Sequence, residues 1–181
     1  MDVVDTQTEI FNRQLAEFID GSPTPFHAVA NIASLLRGAG FQSLSEAEDW
    51  RLEQGGKYFV TRNGSSIIAF VAGREDLAES GIRMAGAHTD SPCLMVKPQP
   101  EMLNNKYFQL GVEVYGGALL NPWFDRDLSL AGRLVYSDGS GQLKQQLVNF
   151  NDAIAVIPSL AIHLDREANK DRTINPQTDI P

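Results

Sequence analysis

Three consecutive residues, His88, Thr89 and Asp90, include the side-chain types of a metal site. A neutral imidazole binds divalent metal ions, and a nearby carboxylate fixes the orientation of the ring and raises its basicity. A three-residue motif is weak evidence for a metal site, because a histidine and an aspartate can also make ordinary hydrogen bonds at the end of a strand. The elements around the segment must therefore decide between a metal site and a purely structural role.

Other residues could also carry chemistry, but each of them has a structural explanation as well. Cys93 could act as a nucleophile if a histidine lay beside it, but nothing else in the sequence supports this, and simple packing is its expected role. His27 falls in the first turn of a predicted helix, where the positive end of the dipole disfavours its charged form, so a neutral structural role is expected. Asp125-Arg126-Asp127 is either an ion-pair cluster that shapes a loop or interface, or plain surface charge.

Two amphipathic helices are predicted in the first forty residues. Thr6 to Glu9 has the form of a capping box, and apolar residues then recur with helical spacing until Asp20-Gly21. Thr24 is a good N-cap before Pro25 at the first helical position, and an apolar stripe continues to Gly38 or Gly40.

Strands follow these helices. Residues 57–62 and 66–72 flank Asn63-Gly64, which is typical of a type I′ turn, so they predict a β-hairpin. Residues 82–87 form a short apolar run, which predicts a strand buried on both faces with His88 at its carboxyl end. Ligands collect at that end of the strands in α/β proteins.

The pattern changes after Lys97. Pro98-Gln99-Pro100 is expected to break the chain, and strand-like runs separated by turn residues follow it. These runs span residues 110–115, 128–136, 142–150 and 153–157. We therefore predict an α/β unit over residues 1–97 and a β-rich unit over residues 98–181.

Composition excludes several classes of function. The net charge of −8 would repel a phosphate backbone, so nucleic-acid binding is not expected. No stretch approaches the roughly 18 apolar residues that span a bilayer, and the acidic N-terminus lacks the apolar core of an export signal. A single cysteine fits a reducing compartment, and the cytoplasm is the expected location.

Longer motifs carry a resemblance to a known family. His88-Thr89-Asp90-Ser91-Pro92-Cys93-Leu94 resembles the first metal-ligand motif of the M18 (aspartyl aminopeptidase-like) zinc aminopeptidases. Four further segments are similar to family blocks in the same order. They are residues 22–29, 57–63, 123–133 and 160–164.

The resemblance implies an α/β catalytic domain built on a mixed sheet with flanking helices and interrupted by a β-rich dimerisation domain, both incomplete in this chain. It implies two zinc ions per active site, with cobalt or manganese as alternatives, and a metal-activated water that removes N-terminal residues from peptides. His88 would be a metal ligand and Asp90 the catalytic residue that holds its tautomer. His163 would bind substrate in a neighbouring subunit, unless it is an ordinary strand histidine. Dimers, and dodecamers built from them, are implied.

The other metal ligands and the general base of the family have no counterpart here. They include an Asp-Asn step, a Glu-Glu step and a histidine after His163. We therefore expect this chain to be a truncated part of a longer enzyme and inactive alone. Two alternatives stay open: a non-catalytic assembly module derived from such an enzyme, and a cysteine hydrolase that uses Cys93.

Overall fold

The computed structural model describes residues 3–104 and 106–181, and divides the chain into two compact units. Unit 1 contains residues up to Asp90 together with Ala131–Asn149, and unit 2 contains Ser91–Leu130 together with Phe150–Pro181. The mixed α/β class expected from the sequence is confirmed. The predicted boundary between residues 97 and 98 lies inside a strand. The assignment of residues 1–97 to a catalytic domain and of residues 98–181 to a dimerisation domain stays a prediction.

Unit 1 begins with two helices, α1 (Val3–Asp20) and α2 (Pro25–Gly38). The extended backbone of Thr24 forms the N-cap of α2, where its hydroxyl accepts a hydrogen bond from the amide of His27. The predicted bounds of α2 are thus confirmed, whereas α1 starts three residues before its capping pattern. The apolar stripe of α1 is largely exposed, including Phe11 at 65%.

A three-stranded sheet packs against α2 in unit 1. It consists of β1 (Gln42–Leu44), β2 (Lys57–Arg62) and β3 (Ser66–Val71), with β1 parallel and β3 antiparallel to β2. Asn63 and Gly64 both have positive φ, 53° and 64°, which confirms the predicted hairpin turn. The core joins α2 to β2, and its buried members are Ala28, Val29, Ala33, Tyr58, Phe59 and Val60.

A second hairpin completes unit 1. It pairs β6 (Ala131–Ser137) with β7 (Leu143–Asn149), and β6 also contacts α2. Asp138 closes its turn, because its Oδ1 accepts hydrogen bonds from the amide and hydroxyl of Ser140 and from the amide of Gln142. These bonds lower the pKa of the Asp138 carboxyl. Predicted strands at 128–136 and 142–150 are therefore confirmed with slightly shorter bounds.

The predicted buried strand at residues 82–87 is wrong. This segment follows a short helix, α3 (Leu77–Ser80), and has no regular structure. Ile82 is 70% exposed and Met84 is 89% exposed. An apolar run becomes a buried strand only where neighbouring strands accept its backbone hydrogen bonds, and the described residues pair none with it.

Unit 2 is built around a long hairpin of β4 (Cys93–Asn104) and β5 (Tyr107–Tyr115). The predicted break at Pro98-Gln99-Pro100 is wrong, since these residues lie within β4. The pairs Val96–Val112 and Glu101–Leu110 leave residues 97–100 opposite Gly111 alone, and this bulge accommodates two prolines that cannot donate to a neighbouring strand.

The core of unit 2 consists of Phe124, Ile157 and Ile180, with Leu94 and Val112 of the hairpin packed against it. A 3₁₀ helix, Asn121–Trp123, precedes Phe124. The strand predicted at 153–157 is reduced to isolated bridges, from Leu128 to Ala155 and from Phe124 to Ile157. Within the described residues, no helix has both the length and the apolar character needed to cross a membrane.

Candidate metal-ligand segment

The structure brings together the histidine and the aspartate that the sequence singled out. His88 Nδ1 lies 2.6 Å from the backbone oxygen of Asp90 and 3.3 Å from its Oδ1. The segment is irregular, so this short-range contact, and not a strand end, sets the orientation of the ring. The His88 side chain is 78% exposed, which leaves it accessible to a ligand.

The contact also decides which ring nitrogen carries a hydrogen. Both Asp90 atoms are hydrogen-bond acceptors, so Nδ1 must be the donor. In the neutral imidazole, Nε2 then keeps its lone pair. Nε2 is the nitrogen that could bind a metal ion, and the histidine–carboxylate pair has the form of a metal ligand with its orienting partner.

Thr89, between these two residues, ties the segment to the hairpin of unit 1. Its hydroxyl donates a 2.8 Å hydrogen bond to the backbone oxygen of Ser65, which directly follows the Asn63-Gly64 turn. The tight turn requires positive φ at two consecutive residues, which Asn and Gly adopt most readily. The sequence motif gave Thr89 no role, because its partner lies 24 residues earlier in the chain.

His163 belongs to unit 2, whereas His88 belongs to unit 1. It is exposed and lies in a turn, so the possibility that it was an ordinary strand histidine is removed. Its predicted role in binding substrate stays a prediction.

Asp125 shapes a loop. Its backbone has a φ of 54°, and its Oδ1 accepts a 2.9 Å hydrogen bond from the amide of Ser159. Hydrogen bonding to Ser159 and the nearby positive charge of Arg172 lower the pKa of this carboxyl. Arg172 itself stacks on Phe124, with its guanidinium carbon 4.1 Å from the ring centroid. Asp125 thus shapes a loop, as predicted, through its hydrogen bond with Ser159, whereas the described residues show no ion pair within Asp125-Arg126-Asp127.

His27 and Cys93 also have structural surroundings. His27 Nδ1 lies 2.7 Å from the Thr24 hydroxyl, and partial burial lowers the pKa of the ring, which agrees with the neutral role expected from the sequence. Cys93 forms the first residue of β4, paired with Tyr115, and is half-buried. These positions explain both side chains by packing.

The described residues meet the ligand requirements of zinc only in part. His88 fits one ligand position, through Nε2. A zinc site takes three or four protein ligands, and the described part of the chain gathers no group of three His, Cys, Asp or Glu side chains that could hold a metal ion. Residues 3–104 and 106–181 therefore supply one oriented ligand and do not complete a site.

The sequence of this chain matches the model of a known protein family. The model described as "Aminopeptidase I zinc metalloprotease (M18)" matches residues 18–181. The chain belongs to the M18 peptidase family. The resemblance read from the sequence motifs is thereby confirmed, and the His88 motif lies within the matched M18 region.

Individual M18 relatives agree with this assignment. A probable M18 family aminopeptidase 2 of Stutzerimonas stutzeri (strain A1501) is 58% identical over 170 residues, which are 94% of this chain and 39% of that protein. The homologue of Pseudomonas fluorescens (strain SBW25) is also 58% identical, over 96% of this chain and 40% of its own length. The chain thus spans about 40% of the length of these curated relatives.

Solved M18 structures have the same fold. Chaetomium thermophilum mApe1 is similar with a TM-score of 0.85 and 37% identity, over 95% of this chain and 39% of that one. The yeast mApe1 dodecamer is similar with a TM-score of 0.79 and 34% identity, over 87% of this chain and 37% of that one.

Proposed function

We propose that the protein to which this chain contributes is a zinc-dependent aminopeptidase that removes N-terminal residues from peptides. The observation that carries the proposal is the contact of His88 Nδ1 with Asp90, which leaves Nε2 available for a metal ion in a chain of the M18 family. The family model's description as a zinc metalloprotease supports zinc as the metal.

The proposed roles follow from side-chain chemistry. His88 is a metal ligand through Nε2, and Asp90 accepts from Nδ1 and so keeps the ring in the metal-binding tautomer. Bound zinc activates water and polarises the scissile carbonyl in such enzymes. His163 binds substrate in the site of a neighbouring subunit.

The complete centre requires residues that this chain does not contain. We propose two ions per site, with cobalt or manganese as possible replacements for zinc, held by further ligands elsewhere in the longer protein. With Nε2 on a metal ion and a hydrogen on Nδ1, the His88 ring has no free nitrogen for a second ion or for a proton from water. The 181-residue chain alone is therefore expected to lack peptidase activity.

We also propose that the protein acts as a homo-oligomer in the cytoplasm. The dodecameric yeast relative supports a dodecamer built from dimers, with residues 98–181 as part of the dimerisation domain. Apolar side chains exposed on β4 and β5, such as Leu103 at 80% and Phe108 at 68%, are consistent with a surface that becomes covered on assembly.

The function is tested on the full-length protein by zinc analysis and peptide hydrolysis. His88→Ala should lower bound zinc and reduce hydrolysis at least about 100-fold, the upper end of the loss typical of weakened metal sites. His27→Gln is the matched control, because it removes a histidine that contacts Thr24 at the start of α2 and is assigned no metal. Unchanged zinc content and activity in His88→Ala would contradict the assignment.

A non-catalytic assembly module is the second candidate. The apolar side chains exposed on β4 and β5, such as Leu103 and Phe108, favour it. A full-length protein that assembles stably, contains no metal and hydrolyses no peptide would support the module. Inhibition by a chelator, with no effect of thiol alkylation, would support the metallopeptidase and remove the cysteine hydrolase.

A further inference from the structure

A groove in unit 1 includes neither His88 nor Asp90 among its lining residues and has no role in the proposed reaction. It runs between α2 and the β6–β7 hairpin, and its volume is about 320 Å³. Phe26, Val29 and Ala33 of α2 and Leu147 of β7 contribute apolar surface to it. Pockets that bind small molecules usually enclose roughly 300–1,000 Å³ and are mostly apolar with a few polar groups.

The charge of the groove differs from that of the chain. Its two charged lining residues are Arg37 and Arg133, and no carboxylate lines it within the described part of the chain. The chain as a whole has a formal net charge of −8. A positive groove in a negative protein favours an anionic ligand over a neutral or cationic one.

Aromatic rings hold both guanidinium groups. Arg133 lies over Phe26, with its guanidinium carbon 4.0 Å from the ring centroid, and its Nη1 donates to the backbone oxygen of Asn63 at 2.7 Å. Arg37 lies over Phe59 at 5.4 Å. A stacked guanidinium keeps N–H donors in its plane, and their fork geometry matches a carboxylate.

We infer that this groove binds a small carboxylate with a short apolar body. The carboxylate accepts hydrogen bonds from Arg133 and Arg37, while the apolar part lies against Phe26, Val29 and Ala33. The groove is formed entirely by residues of unit 1 and does not include His88 or Asp90. The inference is therefore independent of the peptidase proposal.

Equilibrium dialysis of the full-length protein with radiolabelled hexanoate tests the site. Hexanamide, which has the same shape without charge, and inorganic phosphate, which has charge without an apolar body, should each bind at least tenfold more weakly. Arg37→Gln and Arg133→Gln should each raise the dissociation constant for hexanoate at least fivefold. Arg51→Gln, at an exposed position outside the groove, is the charge-matched control and should bind like the parent chain.

A second variant separates loss of the site from loss of the fold, because Arg133 also contacts Phe26 and Asn63. Ala30 is exposed on α2 and lines the groove, so Ala30→Leu fills the space without removing a charge or a core side chain. It should abolish hexanoate binding while the circular dichroism spectrum stays unchanged. Hexanoate binding that is equal in Ala30→Leu, or equal to that of hexanamide or phosphate, would overturn the inference.

Discussion

Thr89 Oγ1 and the backbone oxygen of Ser65 are joined by a 2.8 Å hydrogen bond that holds the candidate metal ligand against the β2–β3 hairpin. Thr89→Val removes the donor at nearly constant volume. We expect a loss of stability of about 1 kcal/mol and faster hydrogen exchange of the amides at residues 88–90. Thr89→Ser keeps the hydroxyl and should restore slow exchange. Equal exchange in the Val and Ser variants would show that the bond does not anchor the segment.

Phe59 is the fully buried side chain at the centre of unit 1. Phe59→Ala should cost about 3–5 kcal/mol, because it leaves a cavity between β2 and α2 and removes the ring over which Arg37 lies. Urea unfolding measures the loss. Ile68→Ala on β3 is the control, since Ile68 is 66% exposed and its removal should change stability by less than about 0.5 kcal/mol.

Removing the N-cap hydroxyl of α2 should destabilise the chain less than removing the Phe59 ring. Thr24→Ala should lower the free energy of unfolding by about 1 kcal/mol, because the amide of His27 loses its acceptor. Thermal unfolding followed by circular dichroism provides the comparison. Thr24→Ser should stay close to the parent, and an equal loss in both variants would mean that the methyl group matters more than the hydroxyl.

His27 should make stability depend on pH. Burial lowers the pKa of the ring in the folded chain. Above the ordinary histidine pKa of about 6.5, the ring is neutral in both states. As the pH falls from there towards the folded pKa, the unfolded chain binds a proton that the folded chain resists, so the free energy of unfolding decreases. Urea unfolding at pH 7.5 and 5.5 should show a smaller decrease in His27→Gln than in the parent chain.

Local signals allowed the best predictions from sequence. The Thr24-Pro25 start of α2 and the Asn63-Gly64 turn are both set by residues adjacent in the chain, and both were confirmed. The contact between His88 and Asp90 is equally local, since it spans two residues, while their roles at a metal ion stay a prediction.

Non-local pairing explains the failures. An apolar run such as residues 82–87 indicates that burial is favourable, but the pairing partner that would make it a strand is not encoded in the run itself. Thr89 was missed for a related reason, because its acceptor lies in a different hairpin. β4 was not predicted because the alternation of its side chains between the two faces of the hairpin shifts at the bulge. Even-numbered Leu94 and Val96 lie on the same face as odd-numbered Glu101 and Leu103.

The bulge at residues 97–100 also makes β4 tolerant of changes in length. Val96 and Glu101 pair with β5 on either side of it, and each ladder is fixed by its own cross-strand partners. A residue added or deleted between them falls in a stretch opposite Gly111 and outside both ladders. Insertions and deletions among M18 sequences should therefore accumulate at this point, with the flanking ladders left in register.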